Sequence, residues 1–201
     1  MNLVLIEPGH GGWQKGCVHY SRDGTKYEEK DYNLDIAKRV MVLLEREWPV
    51  DLTRKTDVYV TPDQRKAIER RLKPSLVLSI HANSQAGAPT MAGMQTFYWP
   101  SNKRGRELAT SILHTAPTVL RNHNWRRPFS CYNDPMMNHD DWIDRPRSVV
   151  GLYASTCVLV ETGFFSYPGE LEYLVSDDGM NSVSKCIAGA VSAWLKKHGG
   201  K

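Results

Sequence analysis

The sequence predicts a single α/β domain with three layers, in which a twisted, mostly parallel sheet of about six strands is flanked by helices. Two observations predict this fold class. Apolar runs of strand length alternate with longer segments whose apolar residues recur every three and four positions, as on one face of a helix. The 201 residues suit one well-buried core, and no internal repeat or low-complexity tract marks a second unit. We therefore expect residues 1–201 to form one domain.

The first half of the chain divides into two strands and two helices. The first helix is predicted from apolar residues that recur at three and four positions from Leu34 onward. The second is predicted from its start, where Thr61 can cap the helix, Pro62 fits the first turn and Gln64 can complete a capping box. The predicted elements are a strand over 3–6, a polar and Gly-rich loop over 9–25, a helix over 31–47, a strand over 49–53 and a helix over 61–72.

The second half of the chain repeats this alternation around one long polar segment. Residues 95–99 mix polar and aromatic side chains, which is typical of a strand near a sheet edge. Pro117 weakens the end of the helix that follows, and Gly199 ends the last helix, which carries an apolar stripe. The predicted elements are strands over 76–80 and 95–99, a helix over 103–120, a surface excursion over 122–147, a strand over 158–160, a short helix from 168 and a helix over 181–197.

Composition and charge exclude several classes of function. Apolar residues make up 41% and charged residues 24% of the chain, and no apolar run approaches the roughly 20 residues of a membrane span. The net charge of +4 favours contact with anionic surfaces such as bacterial cell walls. The basic and aromatic segment 122–129 could stack on single-stranded nucleic acid, but it is short and lacks the signature of any known module. We expect no nucleic-acid partner and no membrane insertion.

The amino-terminal residues and the cysteines indicate the cellular compartment in which the chain is made. Glu7 and Pro8 end the first apolar run, and no basic region precedes it, so this run predicts a strand rather than a secretory signal. We expect synthesis in the cytoplasm without a signal peptide. The cysteines form no CxxC pair and are expected to be thiols without disulfides: Cys17, Cys131, Cys157 and Cys186.

Three of the predicted strands lead into polar residues that can carry chemistry. The first strand leads into Glu7-Pro8-Gly9-His10, the strand over 76–80 leads directly into His81, and the strand over 158–160 leads directly into Glu161. Active sites of open α/β sheets lie at the carboxyl ends of the strands. The fold can therefore bring His10, His81 and Glu161 together although they lie far apart in the sequence.

A carboxylate before the first helix is a fourth candidate. Glu28 and Glu29 lie near the predicted helix start, beside the loop that carries His10. Two histidines and one carboxylate with an open fourth position are a common ligand set for catalytic zinc, which would leave Glu161 unligated as an acid and base. A single histidine is more often a surface or core residue and a single glutamate is usually solvated, so the hypothesis depends on the joint pattern. Spacing leaves both glutamates open.

Five segments, in order and covering most of the chain, resemble the motifs of the zinc-dependent N-acetylmuramoyl-L-alanine amidases, the family of bacterial autolysins and phage endolysins. They are Glu7-Pro8-Gly9-His10-Gly11-Gly12, the stretch from Glu29-Lys30-Asp31 to Ala37, Leu52-Thr53-Arg54 with Asp57 and Arg65, Ser79-Ile80-His81-Ala82-Asn83, and Val160-Glu161-Thr162-Gly163-Phe164. Each segment is weakly specific alone, but the five together are highly specific.

The resemblance implies that the protein is an enzyme with one zinc ion as cofactor. It implies that His10, Glu29 and His81 bind zinc and that Glu161 is the catalytic glutamate. Only the match to Glu-Lys-Asp favours Glu29 over Glu28 as the carboxylate ligand. The reaction implied is hydrolysis of the amide bond between N-acetylmuramic acid and L-alanine in peptidoglycan.

Two residues depart from the family pattern, and three others carry open roles. Glu7 stands where the family usually has aspartate and Tyr167 where it usually has asparagine, which bears on substrate fit because neither is a proposed ligand. Ser79 and Asn83 flank a predicted ligand and either orient it through hydrogen bonds or cap the turn after the strand. Arg65 is expected to form a structural salt bridge rather than to contact substrate.

Alternative functions within the same fold are weighed against this hypothesis. A non-catalytic domain that binds the wall or activates another enzyme should lack a ligand or the glutamate, whereas a zinc peptidase would cut a different peptidoglycan amide. No export signal and no separate cell-wall-binding domain are visible, which favours a phage or prophage endolysin released by a holin over a non-classically released or intracellular recycling amidase. We expect a monomer with one catalytic domain.

Overall fold

A six-stranded sheet lies at the centre of the protein, whose computed structural model describes residues 2–87, 90–121, 129–130 and 149–198. The strands are β1 (Val4–Pro8), β2 (Val18–Tyr20), β3 (Lys26–Glu28), β4 (Val50–Leu52), β5 (Leu76–Asn83), β6 (Gln95–Tyr98), β7 (Phe129–Ser130) and β8 (Thr156–Phe164). The helices are α1 (Glu29–Leu44), α2 (Pro62–Leu72), α3 (Lys103–Thr115), α4 (Pro168–Leu174) and α5 (Asp177–His198), with a 3-10 turn at Thr118–Leu120.

The order of the strands sets where functional residues can meet. The sheet runs β4-β1-β5-β8-β6-β7, while β2 and β3 form a separate hairpin. The neighbours among β4, β1, β5 and β8 are all parallel, whereas β6 is antiparallel to β8 and β7 is parallel to β6. Four strands therefore end at one common edge of the sheet. The predicted fold class, a mostly parallel sheet of about six strands flanked by helices, is confirmed.

Helices cover both faces of the sheet and form the expected three layers. Successive side chains of a strand point to opposite faces. Val4 and Ile6 of β1 therefore pack in the larger core with α1, α3 and α5. Leu5 packs in a smaller core with Val77, residues of α2 and the segment 149–153. All three β1 side chains are fully buried, which agrees with a near-continuous apolar run in a strand covered on both faces.

Local sequence explains where two of the helices begin and end. At the start of α2, the backbone N–H of Gln64 donates to Thr61 Oγ1 (3.2 Å) and the backbone N–H of Thr61 donates to Gln64 Oε1 (2.8 Å), which completes the predicted capping box. The helix α3 ends at Thr115 rather than at residue 120. Pro117 lacks an N–H and disfavours helical geometry in the residue before it, so the chain continues as a separate 3-10 turn.

Two helices begin earlier than the sequence predicts. The helix α1 begins at Glu29 instead of residue 31, and α5 begins at Asp177 instead of residue 181. Both extensions carry acidic side chains in the first turn, where the positive end of the helix dipole stabilises negative charge. The earlier start of α1 makes Glu29 its first residue.

Three strand predictions are corrected by backbone pairing. The predicted loop over 9–25 contains β2, which pairs antiparallel with β3, and strands of three residues carry too little periodicity to be distinguished from a loop. The strand predicted over 76–80 extends to Asn83, and the strand predicted over 158–160 spans Thr156–Phe164. Pairing between β5 and β8 continues beyond the apolar runs, with an irregularity between His81 and Asn83. The candidate residues His81 and Glu161 therefore lie within strands rather than after them.

Several predictions concern residues that the structure describes only in part. The excursion predicted over 122–147 lies outside the described residues except for β7, which pairs with β6. Cys17 and Cys186 are free thiols, as expected, and Cys157 is buried in the smaller core. Cys131, the basic and aromatic residues 122–128 and Gly199 lie outside the described residues. Within the described ranges, no helix combines the length and apolar character that a membrane span requires.

Candidate metal site

The candidate residues meet at the carboxyl edge of the parallel strands. His10 follows β1, His81 lies in β5, Glu161 lies in β8, and Glu29 is the first residue of α1. His81 and Glu161 are register partners on adjacent parallel strands, so their side chains leave the same face of the sheet side by side. Four elements that are distant in sequence thus bring the candidate residues to one edge of the sheet.

The carboxylate of Glu29 lies between two imidazoles. Its Oε2 is 3.1 Å from His10 Nε2 and its Oε1 is 3.1 Å from His81 Nδ1. The two imidazole rings meet edge to face, with centroids 5.1 Å apart and planes inclined by 76°. One ligand atom from each of the three residues lies within 4.8 Å of the other two, a spacing at which they could hold a metal ion.

The neighbouring glutamate, Glu28, points elsewhere. Its carboxylate pairs with Lys26 Nζ at 2.6 Å and Lys15 Nζ at 3.1 Å, outside the cluster of imidazoles. Spacing left Glu28 and Glu29 open as the candidate ligand. The geometry favours Glu29, because its carboxylate is the one that lies beside the two histidines.

Backbone and side-chain donors fix the Glu29 carboxylate in place. Oε2 accepts a hydrogen bond from the backbone N–H of Cys17 (2.9 Å), and Oε1 accepts from Asn33 Nδ2 (3.1 Å) and from the backbone N–H of Ala82 (3.2 Å). Burial raises the pKa of Glu29, but the hydrogen bonds and charges of His10 and His81 outweigh burial and hold this pKa well below its usual range. The carboxylate is therefore ionised near neutral pH.

Glu161 has the opposite electrostatic character. Burial raises the pKa of its carboxyl well above the usual range, and the negative charge of Glu29 raises it further. Its Oε2 is buried and accepts no hydrogen bond from any described residue, and His81 Nε2 likewise has no hydrogen-bond partner among them. Buried polar atoms rarely lack a partner, so such atoms beside a charged carboxylate indicate a place for an ion. Two imidazoles and a carboxylate are a donor set that fits a divalent metal.

Two glycines allow the backbone to approach the candidate ligands closely. A Cβ on Gly9 would overlap the imidazole of His81. A Cβ on Gly16 would overlap Glu29 Oε2 and would lie 2.7 Å from His10 Cδ2. Gly16 also has a φ of 68°, a backbone conformation that side chains with a Cβ rarely adopt. The loop after β1 can therefore wrap around the site only because both positions lack a side chain.

Two buried arginines hold the loop that carries His10. Arg65 donates to Glu7 Oε1 (2.5 Å) and to the carbonyl oxygen of His10 (3.1 Å). Arg54 donates to the carbonyl oxygens of Gly9 (2.9 Å) and Lys30 (2.7 Å). His10 itself has a φ of 60°, which is uncommon for a residue other than glycine, and such a conformation persists where the surroundings determine it.

These contacts assign roles to residues whose functions were open. Arg65 forms the structural salt bridge expected of it, and its partner is Glu7, one of the two departures from the family pattern. The other departure, Tyr167, precedes α4 as its cap residue. Asn83 accepts from the backbone N–H of Ser84 (2.7 Å), as expected for a residue at a turn, while Ser79 is fully buried. No hydrogen bond among the described residues joins Ser79 or Asn83 to the His81 imidazole, so the orienting role is not supported.

Sequence reasoning missed two residues that support the site. Asn33 donates to Glu29 and lies one helical turn after it, so extending α1 by two residues would have placed both on one face. Thr162 donates from Oγ1 to the carbonyl oxygen of His81 (3.1 Å) and accepts from the Tyr32 hydroxyl (3.0 Å), which ties β8 to β5 and α1. No local signal in the sequence marks this second contact.

Comparisons with known proteins identify relatives of this chain. A sequence profile of the N-acetylmuramoyl-L-alanine amidase family matches residues 4–193. A Haemophilus influenzae protein named "Probable N-acetylmuramoyl-L-alanine amidase AmiB" is 36% identical over 106 residues, which cover 52% of this chain and 23% of that protein. The chain thus spans less than a quarter of the length of this relative.

Two further proteins match along almost the full chain. A Buchnera aphidicola protein, provisionally named an N-acetylmuramoyl-L-alanine amidase, is 25% identical over 215 aligned positions that cover 97% of both chains. The solved structure of the N-acetylmuramoyl-L-alanine amidase AmiC2 of Nostoc punctiforme is 29% identical, covers 96% of this chain and 97% of its own, and superposes with a TM-score of 0.77.

The close approach of Gly16 to the site predicts a selective effect of Gly16→Ala. Placing a Cβ at a positive φ costs about 1–2 kcal/mol of stability. In addition, the new Cβ would displace Glu29 and His10, so we expect the affinity of the site for a divalent metal ion, probed with Zn²⁺, to fall by about 10- to 100-fold in calorimetric titrations.

Gly24→Ala is the matched control for this variant. Gly24 also has a positive φ, 84°, but no atom lies within 4 Å of the position that a Cβ would take there, so this variant should lose stability and keep its Zn²⁺ affinity. Equal Zn²⁺ affinity in the two variants would show that Gly16 does not shape the site.

Proposed function

This chain belongs to the N-acetylmuramoyl-L-alanine amidase family, and on that basis we propose that it hydrolyses the amide bond between N-acetylmuramic acid and L-alanine in peptidoglycan. One observation carries the proposal. Two imidazoles and an ionised carboxylate, from His10, His81 and Glu29, converge beside a buried glutamate whose pKa is raised. Amide hydrolysis by a metal-activated water uses a metal held by such ligands and a neighbouring group that accepts and returns a proton.

The proposed cofactor is one zinc ion held by His10, Glu29 and His81. Nitrogen and carboxylate ligands in this number are those of catalytic zinc sites that keep a position open for water or substrate. Zinc bound there would act as a Lewis acid that polarises the scissile carbonyl and lowers the pKa of water toward neutrality. The hydrogen bonds to Glu29 from Cys17, Asn33 and Ala82 orient this ligand independently of the ion.

Glu161 is proposed as the group that moves the proton. Its carboxylate takes a proton from the attacking water and then delivers a proton to the nitrogen of L-alanine as the amide bond breaks. The products are the carboxylate of the muramoyl lactyl group and a peptide with a free amino-terminal alanine. Burial, the largest cause of its raised pKa, adapts Glu161 to this role because a carboxyl with a raised pKa binds a proton more firmly and can then return it as an acid.

The alternatives weighed from the sequence receive no specific support. A wall-binding or activating domain without catalysis would not need an acid and base, yet all four side chains of the proposed machinery are present and gathered at one edge. A zinc peptidase for a different peptidoglycan amide would use the same four residues. The identity of the bond therefore has to be read from the products.

The products of peptidoglycan digestion test the proposed bond. We expect mass spectrometry of digested, purified peptidoglycan to show peptides with a new free amino-terminal L-alanine and glycan strands that have lost their stem peptides. A chelator should stop the reaction and added Zn²⁺ should restore it. A different new amino terminus would support the peptidase alternative, and full activity in the chelator would exclude the zinc mechanism.

The variant Glu161→Gln tests the division of roles within the site. The amide side chain has nearly the same shape but cannot accept and return a proton, so we expect turnover to fall by about 10²–10⁴-fold with Zn²⁺ affinity retained. Glu29→Gln should instead lose Zn²⁺ affinity and activity together. Turnover is followed as release of stem peptide and affinity by calorimetric titration.

Glu28→Gln is the matched control for both variants. Glu28 precedes Glu29 directly but pairs with Lys15 and Lys26, so its replacement should leave metal binding and turnover unchanged. Near-normal turnover in Glu161→Gln would contradict the proton-transfer role of Glu161. Loss of metal affinity in Glu28→Gln but not in Glu29→Gln would make Glu28 the metal ligand.

The endolysin role and the monomeric state remain predictions within this proposal. An endolysin that depends on a holin should lyse cells from within only when the inner membrane is opened. We therefore expect bacteria that express the chain to keep their optical density until a holin is co-expressed and then to lyse. Lysis without the holin would favour an amidase that reaches the wall by another route, and light scattering of the purified protein would test the monomer.

A further inference from the structure

In the loop that carries His10, an exposed tryptophan packs against a half-buried tyrosine. Trp13 is 74% exposed, although indole is among the most costly side chains to leave in water. Its ring packs against Tyr59 with centroids 4.7 Å apart and planes inclined by 47°. Because Trp13 buries little surface in the folded chain, it contributes little to the stability of the fold. Stability therefore does not explain why a tryptophan stands at this position. We call Trp13 and Tyr59 the aromatic platform.

The backbone beneath the aromatic platform is tightly constructed. Gly11 and Gln14 exchange two backbone hydrogen bonds, of 2.9 and 3.1 Å, which close a four-residue turn with Trp13 near its tip. Gly12 packs directly on Tyr59, since a Cβ at Gly12 would lie 2.8 Å from the Tyr59 backbone nitrogen. The side chain of Asp57 accepts a hydrogen bond from the backbone N–H of Gly12 (2.7 Å), which ties the two segments together. The indole is therefore presented by a preorganised loop.

The aromatic platform also has a fixed position relative to the proposed chemistry. Trp13 follows His10 by three residues, so their Cα atoms lie within about 11 Å of each other. Arg65 holds the carbonyl oxygen of His10 (3.1 Å), and Lys30 donates to the carbonyl oxygen of Gly12 (3.1 Å). This separation of Trp13 from His10 is short enough for a polymeric substrate bound at the proposed metal ligands to contact the exposed ring.

We propose that the aromatic platform binds a sugar ring of the glycan strand next to the muramoyl unit that carries the scissile amide. This inference rests on the proposed function and deepens it. A pyranose ring offers a flat face of C–H groups that packs on an aromatic face, and a rigid ring binds with a small loss of conformational entropy. The charged carboxylates of a stem peptide would instead require a cation, which neither Trp13 nor Tyr59 supplies.

Glycan length is the variable that tests the platform. We compare two substrates with the same stem peptide, one on a single N-acetylmuramic acid and one on a glycan oligomer of several sugars. For Trp13→Ala we expect KM to rise about three- to tenfold on the oligomer with kcat unchanged, and no change in KM on the single-sugar substrate. A glycan oligomer without peptides should inhibit the unmodified protein competitively and should inhibit Trp13→Ala more weakly by the same factor.

Matched variants separate stacking from bulk hydrophobicity and from unfolding. Trp13→Phe keeps a flat aromatic face and should retain most of the oligomer affinity, whereas Trp13→Leu keeps apolar volume and should behave as Trp13→Ala. Val42→Ala removes another exposed apolar side chain, 49% exposed, about 20 Å along α1 from Glu29, and should change nothing. Because Trp13 is so exposed, none of its variants should alter the thermal unfolding temperature by more than a few degrees.

Each remaining outcome bears on one of the two proposals. An equal rise in KM on both substrates would place the contact on the peptide or the muramoyl unit, and no rise on either would show that the platform does not bind glycan. If the unmodified protein cleaves neither substrate, the proposed function fails. Calorimetric titration of the peptide-free glycan oligomer into the unmodified protein and Trp13→Ala then still decides whether the platform binds sugar, with equal affinities overturning it.

Discussion

The site depends on the Glu29 carboxylate held between the imidazoles of His10 and His81. This single charge joins the loop after β1, the start of α1 and the end of β5, because each supplies a group that contacts it. A buried carboxylate without compensation would cost several kcal/mol. Here the two imidazoles, three further hydrogen-bond donors and the amino-terminal end of α1 all stabilise the ionised form. The position of the charge thus fixes the relative positions of three elements.

The segment after β4 serves the site without supplying a ligand. Arg54 and Arg65 donate to backbone carbonyl oxygens of the loop from Pro8 to His10, and the second arginine also pairs with the buried Glu7. These hydrogen bonds from two guanidinium groups give a physical role to the third family motif, which lies more than 40 residues from His10 in the sequence. They also give a physical reason for the positive φ of His10, because its carbonyl and those before it are held by fixed donors.

The sequence predicted the strands and helices better than their ends. Nearly continuous apolar runs identified β1, β5 and β8, since strands buried on both faces need apolar side chains at most positions. The apolar runs stop before His81 and Glu161, whereas the backbone pairing of β5 with β8 continues through both residues. Both polar side chains are buried there, which an apolar pattern does not predict. Helical register separates Glu29, one turn before the buried Asn33, from Glu28, which pairs with lysines. Residue spacing left both glutamates open because it did not show that the helix starts at Glu29, and only the resemblance to the family motif favoured Glu29 over Glu28.

The two buried carboxylates of the site acquire different properties from their surroundings. Glu29 faces two imidazoles, which lower its pKa and keep it charged, whereas Glu161 faces that charge from a buried position, which raises its own pKa. Opposite pKa shifts of two like groups are the pattern expected if, as proposed, Glu29 stays ionised while Glu161 takes up and releases a proton. A cation beside Glu29 would weaken the repulsion that Glu161 experiences, yet burial, the larger cause of its raised pKa, would persist. The raised pKa of the Glu161 carboxyl therefore originates in the fold, where β8 places this side chain in the interior beside β5.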